Sequence, residues 1–236
     1  ISLFEQVREI NTAVVGPEHP RIANTLGNMA SVQATQGNYE AAAALAQQSL
    51  ALREKLFGEG HPDTARSLDA IATLYSTQGK YAEALPLYER SLSIRIEALG
   101  EQHPETANTL TKMGGVYVER GQYPQALPLY EQARSIREST LGENHPYVSA
   151  SLQLMANLRK LQGQHSQAIA LINQSIAVLE NSLSQDHPDV AVSLNALAQL
   201  YEEQGNDSEA LPLYERALTI IKARLGERHY RVADIL

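Results

Sequence analysis

Apolar positions return along this chain at helical spacing, in a block that recurs every 42 residues. Within 61–102, Ala65, Leu68, Ile71, Ala72 and Tyr75 fall three or four residues apart, which predicts one apolar stripe on a helix over 62–78. Ala84, Leu85, Tyr88, Leu92, Ile94, Ile96 and Leu99 predict a second stripe. Gly79 separates the two helices, and Gly100 closes the second at a position where glycine suits the left-handed residue after a helix.

The opening dipeptide sets the register of the whole chain. His-Pro stands at 19, 61, 103, 145 and 187, and His229-Tyr230 keeps the step without the proline. Gly37, Gly79, Gly121, Gly163 and Gly205 follow the same interval, as do Ala42, Ala84, Ala126, Ala168 and Ala210. A constant period of this size is the mark of a solenoid, in which a single helix pair cannot bury both its stripes and must stack on its neighbours. The arithmetic gives five full repeats, 19–60, 61–102, 103–144, 145–186 and 187–228, within one continuous array. Residues 1–18 align with a second helix and 229–236 with the start of a first, so the chain is expected to be a segment of something longer. Leu3, Val7, Ile10 and Val14 are expected to point inward from the first of these.

The repeats are not equivalent. In the first, the alanine-rich run 41–46 puts Ala46 where the second repeat has Tyr88, so packing volume is low there. In the fourth, Arg159, His165, Ile172 and Ser184 stand where the second has Tyr75, Tyr81, Tyr88 and Gly100. Pro86, Pro128 and Pro212 lie close to the start of second helices, where a mild first-turn distortion is expected and not a break.

Leu68, Ile71, Ala72, Tyr75, Gly79, Tyr81, Ala84, Tyr88 and Ser91 stand in the order and spacing of the tetratricopeptide repeat, and the chain resembles that family over essentially its whole length. The extended second helix ending Leu52-Arg53-Glu54-Lys55-Leu56-Phe57-Gly58-Glu59-Gly60-His61-Pro62 is similar to the 42-residue variety of kinesin light chains and their bacterial relatives. The resemblance implies an all-α fold, a right-handed α-solenoid of stacked antiparallel helix pairs. It also implies that the first helix of each pair lines a groove for a peptide or protein partner. Matching the family's inward positions gives Asn24, Asn28 and Ser31, then Arg66, Asp69 and Thr73, then Asn108, Thr111 and Lys112. In the later repeats it gives Gln153, Asn157 and Lys160 with Arg159 beside them, then Asn195, Gln199 and Glu202. Amides, hydroxyls and single charges are the inventory for gripping an extended backbone. The Lys and Asn order with which chaperone-binding members hold a terminal carboxylate is absent.

Composition narrows the alternatives. With 27 acidic against 19 basic residues the net charge is −8, which argues against nucleic acid. No cysteine is present, so disulfides and thiolate metal sites are excluded, and a cytoplasmic setting fits. No apolar run approaches the ~20 residues of a membrane helix. Six of the seven histidines lie in the repeated turn, and packed helices stand ~8–10 Å apart, too far for a shared zinc site. These histidines are read as structural, since the residue before proline favours extended backbone. Neither a phosphate loop nor a nucleophile elbow occurs, so no cofactor, metal or catalysis is expected. A binding scaffold is the first expectation, and a structural module that self-associates through exposed repeat ends is the second. Arg66, Lys112, Arg159 and Lys160 on three successive first helices, against Glu202 and Glu203 in the fifth repeat, place an acidic ligand segment over repeats two to four.

Overall fold

The computed structural model describes residues 2–226 together with His229 and Arg231; the expected start of a further first helix at 229–236 therefore lies largely outside the described residues. Eleven helices and no strand occur among them. Contacts gather into two compact units, Ile1–Arg120 and Gly121–Leu236. The first holds α1 (Ser2–Val15), α2 (Pro20–Thr35), α3 (Tyr39–Phe57), α4 (Pro62–Thr77), α5 (Tyr81–Leu99) and α6 (Pro104–Glu119). The second holds α7 (Tyr123–Leu141), α8 (Pro146–Leu161), α9 (His165–Ser182), α10 (Pro188–Glu202) and α11 (Asp207–Leu225). Within each unit, first and second helices pair and stack as the expected α-solenoid: α2 on α3, α4 on α5, α8 on α9 and α10 on α11, with α3 joined to α4, α5 to α6, α7 to α8 and α9 to α10.

Small residues set the closest approaches. Ala65 and Ala84 are fully buried, and the Ser91 hydroxyl donates to the Ala65 carbonyl at 3.0 Å, as Ser49 does to Ala23 at 2.8 Å. A hydroxyl that reaches a neighbouring helix's backbone fixes how near the two axes lie. Leu68 is fully buried and packs with Ala65, Ile94, Leu50 and Leu87, so it joins α3, α4 and α5.

The histidine rings of the His-Pro steps have a local task beyond backbone preference. Each opens its helix in extended backbone, and Nδ1 accepts the N–H two residues on: Asp63 at 3.1 Å for His61, Glu105 at 3.2 Å for His103, Asp189 at 3.2 Å for His187. The ring thus does the work that Ser or Asp does at most helix starts. Replacing His103 by Ala is expected to cost ~1 kcal/mol, and His103→Asp, which keeps an acceptor at the cap, almost nothing; urea midpoints of the two variants check this.

Two expectations need correction. Leu3, Val7, Ile10 and Val14 do not point inward: they are 75%, 44%, 62% and 72% exposed. They match, 42 residues on, the α3 face that includes Ser49, which lies against α2. In this chain α1 has α2 as its neighbour, and α2 meets the flanking face of α1 that carries the half-buried Arg8, Asn11, Thr12 and Val15, where Asn11 donates to Thr25 at 3.5 Å. The prolines sit one turn later than expected, Pro86 being the sixth residue of α5, so the bond lost is a regular one to Ala82. Pro86 and Ala82 are both exposed, so the freed carbonyl is open to solvent, and the helix runs on. The fourth repeat differs at its end: Leu183 follows α9 at φ −115°, whereas Gly100 follows α5 at φ 93°. Ser184 stands where that glycine would, and α9 has 18 residues against 19 in α5.

Candidate functional site

In the first unit α2 touches α4, and α4 touches α6, so the three first helices run side by side. Their solvent face carries Asn24, Asn28, Ser31, Arg66, Thr73, Asn108 and Lys112, all exposed. Asp69, expected on that open face, is 2% exposed instead. It shares a repeat position with Thr111, Gln153 and Asn195, which are half-buried, and this position turns toward neighbouring helices. Thr111 bonds back to the Ala107 carbonyl at 2.8 Å, while Gln153 donates to Ser175 at 3.1 Å and Ser193 at 2.9 Å. One residue further on, at Asn28, Ala70 and Lys112, the chain faces water; Leu154 and Ala196 hold the matching places in the second unit and are half-buried.

The second unit offers a different surface. Asn157, Gln199 and Glu202 are exposed as expected, but Leu161 and Val192 are 48% and 41% exposed beside them, with Ala150 also open. The sequence reading missed these apolar residues. They occupy the repeat positions of Thr77 and Arg66 in α4, so stepping back in intervals of 42 would have found them. Asn195 Oδ1 is buried without a hydrogen-bond partner among the described residues.

The expected cations are already partnered. Arg66 pairs with Asp63 at 2.9 Å, Lys112 with Asp69 at 3.4 Å and Lys160 with Glu203 at 2.7 Å. Arg159 donates to Gln162 at 3.2 Å and Gln164 at 2.9 Å, which turns it toward the end of its own helix. Glu202 accepts from the Tyr214 hydroxyl at 2.7 Å; burial, then that bond and the charges of Glu202 and Glu203, push the phenol up to about 12.

The sequence reading also missed a recurring buried arginine: Arg53 and Arg95 in the first unit and Arg137 in the second, 42 residues apart and 6%, 3% and 7% exposed. Each reaches a hydroxyl of the next first helix, Arg53 to Ser67 at 2.7 Å, Arg137 to Ser151 at 2.7 Å, and Arg95 to Thr109. Arg95 also donates to Asp69 Oδ2 at 2.7 Å and meets Glu105 Oε2 at 3.2 Å. Arg53 donates instead to Asn24 Oδ1 at 2.7 Å and the Asp63 carbonyl at 3.4 Å. Burial lowers its pKa, with the charge of Asp63 opposing the shift. Arg137 is lowered by burial too, and its guanidinium stands 6.0 Å from the Tyr147 ring centre. The recurring arginine, opposite a recurring Ser or Thr, was the available signal.

A cavity of about 410 Å3 opens between α2, α3 and α4, lined by Asn24, Gly27, Asn28, Ala46, Arg53 and Arg66 among others. Its origin is in the sequence: Gly27 and Ala46 stand where the second repeat has Asp69 and Tyr88. There the Tyr88 hydroxyl bonds Thr73 at 2.8 Å and the ring fills the space. Among the described residues, no cluster of three or more His, Asp or Glu side chains could hold a metal, and no helix is long and apolar enough to cross a membrane.

The sequence model of the tetratricopeptide repeat matches residues 1–55, 36–97, 78–139, 105–181 and 150–223. Among solved structures, the nearly identical TPR-like repeats of a kinesin light chain-like protein from Podosopora anserina are 27% identical, with TM-score 0.74, over 89% of this chain and 99% of that one. BtubC (BKLC) from P. vanneervenii is 19% identical with TM-score 0.79, over 96% of this chain and 89% of that one, a likeness of fold. The apo form of RapI is also similar in fold, at 14% identity and TM-score 0.71 over 93% of this chain and 59% of that one. No curated protein matches the chain.

Proposed function

Because the chain belongs to the tetratricopeptide repeat family, we propose that it is a non-catalytic scaffold that binds an extended peptide segment of a protein partner along the solvent face of its first helices. The run of exposed amides and cations on three first helices, each in contact with the next, supports this reading most. Asn24, Asn28, Asn108 and Lys112 offer donors and acceptors to a peptide backbone, and Arg66 a charge for a side chain. Asn157, Arg159, Lys160, Gln199 and Glu202 do so in the second unit, where Leu161 and Val192 add apolar contact. Asp69, Thr111, Gln153 and Asn195 act from behind, Asp69 by holding Lys112. The setting we propose is cytoplasmic, as one continuous array and without nucleic acid or membrane as partner.

The test is a peptide selected from a random array on the intact chain, followed by Asn28→Ala with Asn108→Ala. A net hydrogen bond contributes ~1 kcal/mol, so losing two should weaken binding roughly thirtyfold by calorimetry. Unchanged affinity sinks the assignment. A second reading rests on the exposed stripe Leu3, Val7, Ile10 and Val14, which a second copy of the chain could cover in a structural assembly. An array that returns no ligand, together with light scattering that grows with concentration, would favour that reading over the first.

A further inference from the structure

The recurring arginine supplies its own control within the first unit. In the second repeat the buried Arg95 guanidinium receives the carboxylate of Asp69 from the first helix of its pair, at 2.7 Å. In the first repeat the same place on the first helix is Gly27, which brings no side chain, and among the described residues no carboxylate is paired with Arg53. An amide, a hydroxyl and a backbone carbonyl satisfy donors of Arg53, and the charge of Asp63 acts on it without a direct ion pair, since that carboxylate is paired with Arg66. Burying a guanidinium without a directly paired counter-charge is costly, and the same chain shows which group removes that cost.

We infer that the cavity between α2, α3 and α4 is a carboxylate site, filled by an acidic side chain of a bound peptide in the place that Asp69 takes one repeat later. The dimensions agree. Gly27 and Ala46 together withhold the volume of one carboxylate side chain and one phenol, and about 410 Å3 opens onto the solvent face beside Asn24, Asn28 and Arg66. The deep wall is Arg53, 6% exposed, and the mouth is Arg66, whose side chain is 63% exposed. An entering carboxylate therefore meets a fixed guanidinium at the bottom and a movable one at the rim, the arrangement that suits bidentate, charge-assisted bonding. Asn28 can donate to whichever oxygen Arg53 leaves free. Asp63, which holds Arg66 at 2.9 Å, is the competing anion at the rim and is exchanged for the ligand. This site deepens the peptide-binding reading, but its probe is a small molecule, so the two fail separately.

The experiment follows the Arg53 Nε and Asn24 side-chain resonances by NMR while N-acetyl-aspartate amide is added to the whole chain. Saturable shifts in the ~1 mM range are expected, with none for the neutral isostere N-acetyl-asparagine amide. N-acetylglycine separates the sources: if it alone acts, the group recognised is a chain terminus and the side-chain assignment falls. Gly27→Asp rebuilds the Asp69 arrangement from within, since a Cβ at Gly27 would meet nothing closer than Ser49 Oγ at 3.8 Å. That variant should melt no lower than the parent and bind N-acetyl-aspartate amide at least tenfold more weakly. Equal response to the two amides, no response, or full binding by Gly27→Asp overturns the inference. The comparison of the two amides needs no variant, so a misfolded Gly27→Asp would leave it decisive.

Discussion

Arg95→Leu alone is expected to lower the unfolding free energy by ~3–5 kcal/mol, and Arg95→Leu combined with Asp69→Gln to restore most of it. Arg95 and Asp69 each keep 3% of their side chains exposed. The pair's attraction offsets two desolvation costs, so removing one member leaves the other's cost unopposed. Lys112 at 3.4 Å is half in solvent and compensates Asp69 only in part, and Asp69 Oδ1 already lacks a partner. The double variant copies the fourth repeat, where Leu179 holds the arginine's place and Gln153 the aspartate's. Gln153 there donates to Ser175 and Ser193, and the second repeat offers Ser91 and Thr109 at the matching positions. Urea unfolding of the two singles and the double closes the cycle. A double no more stable than Arg95→Leu would mean that the buried charge is not what the single variant exposes.

Leu68→Ala is expected to cost ~2–5 kcal/mol, the range for a leucine whose surroundings cannot collapse. Leu68 is fully enclosed by α4, α5 and the Leu50 side chain of α3, and the rigid spacing set by Ser49 and Ser91 keeps those helices from closing the gap. In a solenoid such a loss is local, because each repeat meets only its neighbours. Hydrogen exchange should therefore quicken across α3, α4 and α5 and leave α10 and α11 as they were. Uniform acceleration along the chain would show that the repeats unfold as one block.

The helices, their order and their pairing were legible from single positions. Gly79 and Gly100 sit where the chain must take a positive φ, and the Pro62 and Pro104 steps mark the first helical residue, so boundaries such as Pro62–Thr77 fall within a residue of expectation. The candidate wall was legible only in part. Asp69, Thr111, Gln153 and Asn195 are polar and lie at the edge of the apolar stripe, so periodicity assigns them to either side. A rotation of one residue, about 100°, decides whether such a side chain meets water or the next helix. The histidine caps were hidden for a related reason: a ring accepting a backbone N–H two residues on leaves no periodic trace beyond the His-Pro step itself.

Period, fold class and the places of the small contact residues were determined by the sequence, since each depends on residues near one another in the chain or on their exact recurrence. Tertiary structure alone decided which polar residues are buried. Arg95, Asp69 and Thr109 come from three different helices, and Gly27 acquires meaning only when Arg53 arrives beside it from 26 residues away. Whether a buried cation is answered from within or must be answered by a ligand is a matter of what stands opposite it, and that is fixed by packing between helices, which no local pattern records.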